Sequence, residues 1–516
     1  MFVLRRGRLL AACLLVLVLA PLAMAAGAET VLRVGSPWAP KTLDIQKYGY
    51  LFARLGVTES LVGVDEKVKL VPCLAESWKV SDDRLTWTFA IRPGVRFHDG
   101  SLLTAALALE SLKRLQDSGT LLKTVPIAAI EAPNATTLVV RTSQPFAPLA
   151  AYLSKGEAAI VSPASFDATG AMVKPIGTGP FVFDSWKVQD EVVTTANPQY
   201  WAGTRAKVDR VVYKGVPEAM TRLTMLRAGE LDIAQILPAD AAKAVALDPA
   251  FRLQTREIGR TRLIGFNLTR TPFDDPRLRR AASLAIDRAA IVTHLLDGVG
   301  QPASSLFPPD FSWADAKLTV PPHDPEAAKK LLEEAGWKDS DGNGVREKDG
   351  KPLAVKLVTY PERAELPPIA EVVQSELAAV GVKVELIVLP VSASEETRRR
   401  GEFDMYLVGR GLMFVPDPDE NLMLDYFSES NDKAGLGAFH WKSAAVDDCL
   451  AKARTEFDPA ERKALYDQVQ EVIMAELPVL YLNYYVNVDL VSDTVRGYRM
   501  HPVEQSFQLE TVELAK

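Results

Sequence analysis

Residues 353–389 read LAVKLVTYPERAELPPIAEVVQSELAAVGVKVELIVL, and this stretch decides the fold class. Leu353 to Thr359 is apolar and rich in β-branched residues, as a buried strand is. Ile369 to Val380 carries its apolar residues at helical spacing and stops at Gly381, a residue suited to the left-handed turn that ends a helix. Val382 to Leu389 is a second strand. Strand, helix, glycine, strand is a βαβ unit, so the chain is α/β with a mixed sheet.

The same alternation extends in both directions. Downstream, Ala460 to Glu476 predicts a helix closed by Pro478, and Val479 to Val491 a long returning strand. Upstream, Arg277 to Leu296 predicts one long amphipathic helix, and Glu326 to Ala335 another stopped at Gly336. Glu218 to Ala228 is helical up to Gly229, and Leu231 to Ile236 follows as a strand. Nearer the N-terminus, Val31 to Val34 is a short strand, and Leu85 to Ile91 places apolar residues at period two. Leu103 to Leu115 predicts a helix capped by Thr104, and Thr137 to Arg141 a further strand. Pro175 to Pro180, with Gly177 and Gly179, marks a loop and a boundary.

The first 25 residues have the layout of an export leader. Arg5, Arg6 and Arg8 precede an apolar run from Leu9 to Leu22, and Ala23-Met24-Ala25 fits a small-x-small cleavage site. The run, about 14 residues, is short for a membrane span. Cys13 sits before the apolar run instead of after it, which is the wrong order for a lipoprotein box. The remaining chain exceeds what one core usually supports, so two or more lobes are expected. Its net charge is already −7 with the leader arginines included, and no basic block interrupts it. Such a chain is a poor nucleic-acid binder. Cys73 and Cys449, far apart in sequence, are expected as buried free thiols.

Common catalytic chemistry is missing. The five histidines, His98, His294, His323, His440 and His501, include no pair at metal-ligand spacing on one helix. Neither H-E-x-x-H, C-x-x-C, G-x-S-x-G nor a phosphate-binding G-x-x-x-x-G-K-[ST] occurs. Asp339-Ser340-Asp341-Gly342-Asn343-Gly344 copies the first half of a calcium loop, but Gly350 stands at position 12 and Arg346 and Lys348 bring positive charge. The expectation there is a turn-rich loop before the strand that follows Pro352. No cofactor and no resident metal are expected.

Several segments carry a family likeness. They include Leu74-Ala75-Glu76-Ser77-Trp78, Ile91-Arg92-Pro93-Gly94-Val95-Arg96-Phe97-His98-Asp99-Gly100, Ile176-Gly177-Thr178-Gly179-Pro180-Phe181 and Asn197-Pro198-Gln199-Tyr200-Trp201. Asp275-Pro276-Arg277-Leu278-Arg279 and Leu331-Leu332-Glu333-Glu334-Ala335-Gly336-Trp337 continue the order. Together they resemble the bacterial extracellular solute-binding proteins of family 5, the oligopeptide-, dipeptide- and nickel-binding receptors of ABC importers. In their own right Trp78, Trp87 and Phe89 are core residues, His98 is structural, and Gly177 and Gly179 suit a backbone crossing between lobes.

The resemblance implies a type II periplasmic-binding-protein fold of three subdomains in two lobes joined by a hinge. The first lobe would span 26–265 with an extra subdomain inserted at about 61–175. The second would span 266–488, and 489–516 would return to the first. It implies a periplasmic, monomeric receptor without enzymatic activity, which closes on a peptide-like or metal-chelate solute and hands it to a membrane permease. A solute-sensing or chaperone-like scaffold on the same fold, and a carboxylate-dependent hydrolase, are the competing readings.

For the ligand site the resemblance implies Tyr48 and Tyr50 in the segment Gln46 to Phe52, which could equally be packing residues. Peptide-binding relatives hold the peptide amine with an aspartate four residues before the proline of an x-D/E-P segment. Here that position is Phe414, in Phe414-Val415-Pro416-Asp417-Pro418. A buried ammonium needs a polar partner, and phenylalanine has none to give. Asp417 is either a substitute or the cap before Pro418. Arg410 matches an arginine of nickel-binding relatives and could hold a carboxylate or serve an ordinary salt bridge. The histidine of those relatives falls near Ser430, leaving His440 and His501 as substitutes or as structural groups.

Overall fold

The computed structural model describes residues 29–515 apart from 118–120, 204, 413 and 434–438. The expected leader over residues 1–25, with Cys13, lies outside the described residues. Among the described residues no helix is long and apolar enough to cross a membrane.

A ten-stranded mixed sheet organises the chain. At its centre lie two long antiparallel strands, Phe251–Phe266 and Val479–Ser492. Their outer halves pair from Phe251↔Ser492 to Glu257↔Val486; after an irregularity between Glu257 and Thr261 the pairing resumes at Thr261↔Tyr484. On one side Ile233–Ala234 joins Val479–Ser492, followed by Val31–Ser36, Arg210–Gly215, Glu191–Ala196 and Phe181–Lys187. On the other, Met405–Gly411 joins Phe251–Phe266, followed by Ala354–Thr359 and Lys383–Val388. The stretch 353–389 is a βαβ unit: Ala354–Thr359 and Lys383–Val388 are parallel neighbours joined by the helix Leu366–Ala378.

A separate four-stranded antiparallel sheet follows the order Ala75–Val80, Thr86–Ile91, Thr137–Thr142, Ile127–Asn134. Trp87, Phe89 and Ile91 alternate inward on Thr86–Ile91, as period two requires. They share a core with Leu112 of the helix Ala105–Asp117, whose first turn is capped by Thr104 Oγ1 on Leu107 N at 3.4 Å. A second core surrounds Val31–Ser36, and a third gathers around the βαβ unit.

Repeated Asp-Pro pairs start helices. Asp275, Asp324, Asp417 and Asp458 each accept a backbone N–H at a helix N-terminus, with proline at the next position. Proline lacks only an N–H that the first turn leaves unpaired anyway.

Two expectations need correction. The single helix predicted over Arg277 to Leu296 is broken. It runs Pro276–Ala285, leaves helical geometry at Ile286 (ψ 120°), and restarts at Arg288 under an Asp287 cap. The buried Arg288 guanidinium explains the break: it bonds Tyr481 O at 2.6 Å and Ser283 O at 2.9 Å, pulling the chain off the helical path. Gly177 and Gly179 do not mark a crossing between the lobes. A Cβ at either would stand 2.1 Å from a carbonyl of the 56–57 segment, so they permit backbone to lie against backbone within the first lobe. His98 anchors the same segment through Nε2 to Gly179 O at 3.0 Å, and burial lowers its pKa.

Cys73 and Cys449 are both free and part-buried. Asp339 closes its own loop by accepting from Gly342 N and Gly344 N, ahead of the hairpin Glu347–Lys348 with Lys351–Pro352.

Candidate ligand cleft

The helix Ile45–Arg54 is capped by Asp44 and kinks at Tyr48 (φ −127°, ψ 18°). Gly49 packs on the backbone of Gly156; a Cβ there would stand 2.4 Å from Gly156 O. This close approach positions Tyr48, Tyr50 and Arg54. The Tyr48 and Tyr50 ring centroids are 6.1 Å apart, and Tyr50 stacks on Phe414 at 5.1 Å with 3° between the planes. Phe414 arrives from the other half of the molecule in a left-handed conformation (φ 69°). So the structure brings three of the sequence-predicted residues, Tyr48, Tyr50 and Phe414, together across the gap between the halves.

Around this aromatic contact lie four arginines. The Arg54 guanidinium carbon is 5.0 Å from the Phe414 centroid, and that of Arg260 is 5.5 Å. Both pair with Glu504, at 3.2 Å and 2.5 Å. Burial would raise the Glu504 carboxyl, but Arg260, Arg54 and Arg363 outweigh it and hold it at about 2. Arg262 pairs with Glu365 at 3.1 Å and stacks on Tyr485 at 3.9 Å. Burial opposes the Glu365 charge as well, yet Arg262 and Arg363 bring its pKa below the usual range.

Arg363 differs from the other three. Its guanidinium stacks on Tyr485 at 4.7 Å and on Trp38 of the opposite half at 5.1 Å. The residue is 6% exposed, and among the described residues no side chain or carbonyl accepts a bond from its Nη1. A buried guanidinium with a free donor is costly unless an anion meets it.

The other sequence candidates are engaged elsewhere. Arg410 holds Asp425 through two bonds of 2.7 and 2.9 Å, and Asp425, 0% exposed, also accepts from Asn421. Burial works against the Arg410 charge, but Asp425 overcomes it and raises the pKa. Asp417 caps the helix Pro418–Asp425 and is gripped by Arg462 through both oxygens. His501 is buried with Nε2 on Val64 O at 3.1 Å, and burial lowers its pKa. His440 sits edge-on to Phe439, which packs on Phe403 in the third core. Arg410, Asp417, His440 and His501 thus each have a partner within the protein.

Sequence reasoning missed Trp38, Arg54, Arg260, Arg262, Arg363 and Glu504. One signal was available: Gly259-Arg260-Thr261-Arg262 places two arginines at period two, directly before the apolar Leu263-Ile264-Gly265-Phe266, and buried charge on a central strand needs a reason.

Direct contacts close the gap beside the arginines. Lys155 Nζ meets Glu420 at 2.6 Å, and Tyr152 OH donates to Asp419 at 2.7 Å. The Arg454 side chain donates to Thr124 O at 3.0 Å, and its carbonyl accepts from Ala147 N at 2.7 Å. Burial pushes Asp419 up to about 6. A cavity of about 720 Å³ remains here, lined by Gln46, Lys155, Glu157, Glu420, Phe427 and Arg454 among others.

The comparisons agree with this architecture. Residues 69–433 match the model of the bacterial extracellular solute-binding proteins, family 5 (middle region). The glutathione-binding protein GsiB of Escherichia coli K12 is 29% identical over 466 residues, 88% of each chain. NikA from Brucella suis, solved with Fe(III)-EDTA, superposes with a TM-score of 0.84 at 25% identity, over 94% of this chain and 100% of that one. The oligopeptide-binding protein AppA of Bacillus subtilis, solved with a nonapeptide, gives 0.81 at 27% identity over 95% and 100%. Two lobes around a mixed sheet, a gap between them lined by aromatic and arginine side chains, and a family match over most of the chain lead to one conclusion: the chain belongs to the bacterial extracellular solute-binding proteins of family 5.

Proposed function

We propose that this chain captures a small carboxylate-bearing solute, peptide-like or a metal chelate, between its lobes for an ABC importer. The observation that carries the reading is Arg363, buried between Trp38 and Tyr485 with a donor unused. Four arginines face only two glutamates in this cluster, so an entering carboxylate offsets part of the excess positive charge. Arg54 and Arg260 lie over the Phe414 ring, where they would repel a ligand ammonium. A free-amine peptide held there in the manner of peptide-binding relatives is therefore disfavoured.

The resemblance to GsiB, NikA and AppA supports glutathione, chelates and peptides as the solutes to try first. We read the protein as a binder without turnover. Asp419 and Asp489, both pushed up to about 6 by burial, each already accept a bond from a tyrosine and serve separate contacts. The hinge in this reading lies mid-strand, at the irregularity after Glu257 and the facing Tyr484–Val486, so the lobe boundaries fall near 258–260 and 485 instead of 265 and 488. An exported, monomeric receptor docking on a permease completes the proposal.

Calorimetric titration of the purified chain with glutathione, a free-amine tripeptide and a nickel–histidine chelate tests it. A carboxylate solute should bind, and Arg363→Ala should weaken it about tenfold or more, the scale of one charged hydrogen bond. No binding by any of the three, or an unchanged affinity in Arg363→Ala, would overturn the reading.

A further inference from the structure

A second cavity, about 200 Å³, opens beside the Tyr50–Phe414 stack on the side of the first lobe. Tyr50, Phe414 and Tyr200 give it three aromatic rings. The charged side chains in its lining, Glu59 and Glu510, are both acidic. Among the described residues neither makes a salt bridge. Glu59 instead accepts bonds from Thr178, Tyr200 and Trp201 at 2.7, 2.8 and 2.7 Å. Burial raises both carboxyls above their ordinary range, and the negative charge of Glu59 adds to the effect on Glu510.

A third observation is independent of the acids. Thr58, 2% exposed, lines the same cavity, and its Oγ1 has no hydrogen-bond partner. A buried hydroxyl left unpaired costs free energy that a hydrogen-bonding ligand would recover. Aromatic faces, two acids outside any salt bridge and an unpaired hydroxyl can all be met by one ligand group, a cationic donor. Carboxylates attract a cation directly, ring faces attract it through their quadrupoles, and a hydroxyl accepts from an N–H. A purely apolar group satisfies none of these, and an anion satisfies only the hydroxyl.

We propose that this cavity is a cation subsite, which takes the ammonium or similarly compact cationic end of the solute whose carboxylate meets Arg363. The inference rests on the reading that a carboxylate-bearing solute is captured between the lobes. It names a second requirement: the preferred solute is zwitterionic, with its positive end beyond Phe414 and not at it. Phe414 then acts as a divider, with arginines over its ring and acids along the cavity it walls.

The probes are glutathione, N-acetylglutathione, ethylammonium chloride and ethanol, applied to the full exported chain by calorimetry and thermal shift. Acylating the amine should weaken binding to the parent protein about tenfold or more. Glu510→Gln should weaken glutathione by a similar factor and leave N-acetylglutathione unchanged, whereas Arg363→Ala should weaken both. Ethylammonium, but not ethanol, should raise the unfolding midpoint of the parent and not that of Glu510→Gln. Thr58→Val provides the same comparison if Glu510→Gln does not fold. Equal binding of the two glutathione forms in parent and variant, with ethylammonium inert, would overturn the subsite. If no carboxylate solute binds, the reading of the cleft fails, and the ethylammonium comparison alone decides the subsite.

Discussion

A guanidinium held between two aromatic rings keeps its charge but not its hydration, and Arg363 is left with a donor to satisfy. Its neighbours Arg54, Arg260 and Arg262 are answered by Glu504 and Glu365. Glu504 is a residue on which pH should act. Its carboxyl lies at about 2 in the folded chain against an ordinary 4.5. The stabilisation is therefore complete above pH 4.5 and lost as pH falls from 4.5 through 2. At about 1.4 kcal/mol per unit it amounts to about 3 kcal/mol. Glu504→Gln should be less stable than the parent by about that amount at pH 7 in chemical denaturation, with the gap narrowing below pH 4. Arg410 behaves differently because Asp425 already satisfies it. Asp425→Ala should cost about 3–5 kcal/mol of stability, the usual consequence of leaving a buried charge alone. Affinity in the surviving folded fraction, read by calorimetry, should change little. These two residues also show where a sequence stops being informative. Arg410 and Arg363 look alike in the chain, and only the positions of Asp425 and Tyr485 separate a bonded charge from one with a donor free.

Elements decide where these residues stand. The first helix is seated by Gly49 against Gly156, and a Cβ on Gly156 would come within 2.6 Å of Gly49 O. Gly156→Ala should push the helix away, lowering the unfolding midpoint and weakening solute binding together. Substitution at Gly203, on an open turn with φ 74°, should cost some stability through backbone strain but leave solute binding unchanged. The segments that meet across the gap add a pH effect of opposite sign to that of Glu504. Asp419 is fully buried in the closed arrangement and is raised from 3.8 to about 6, with Tyr152 donating to it. A raised acid takes up a proton on burial, so closure should strengthen as pH falls through 6 towards 4. Small-angle scattering should show a smaller radius of gyration at pH 5 than at pH 7.5, with the difference lost in Asp419→Asn. At this scale the sequence was most legible. The βαβ unit, the helix from Ala460 to Glu476 and the returning strand follow from periodicity and helix stop signals, which are local. The break at Ile286 was not legible, because its cause is the long-range bond from Arg288 to Tyr481 O.

In the proposed reading the whole molecule hinges on two strands shared by both lobes. Val479–Ser492 carries Tyr485 beneath Arg363 and, four residues on, Asp489 bonded to Ile236 N in the other half. No sequence pattern separates a strand that crosses from one that stops, so the irregularity after Glu257 could only be found in three dimensions. The set of motifs nevertheless identified the family, because their order along the chain is itself a long-range fact. Trp38 has a consequence at this scale. Its ring meets Arg363 from the opposite lobe at 5.1 Å, so the contact exists only while the gap is shut. An indole against a cation has a different emission from an indole in water. The protein therefore carries its own optical gauge of capture, and with Trp38→Phe as the blank, each opening and closing should be readable without a label.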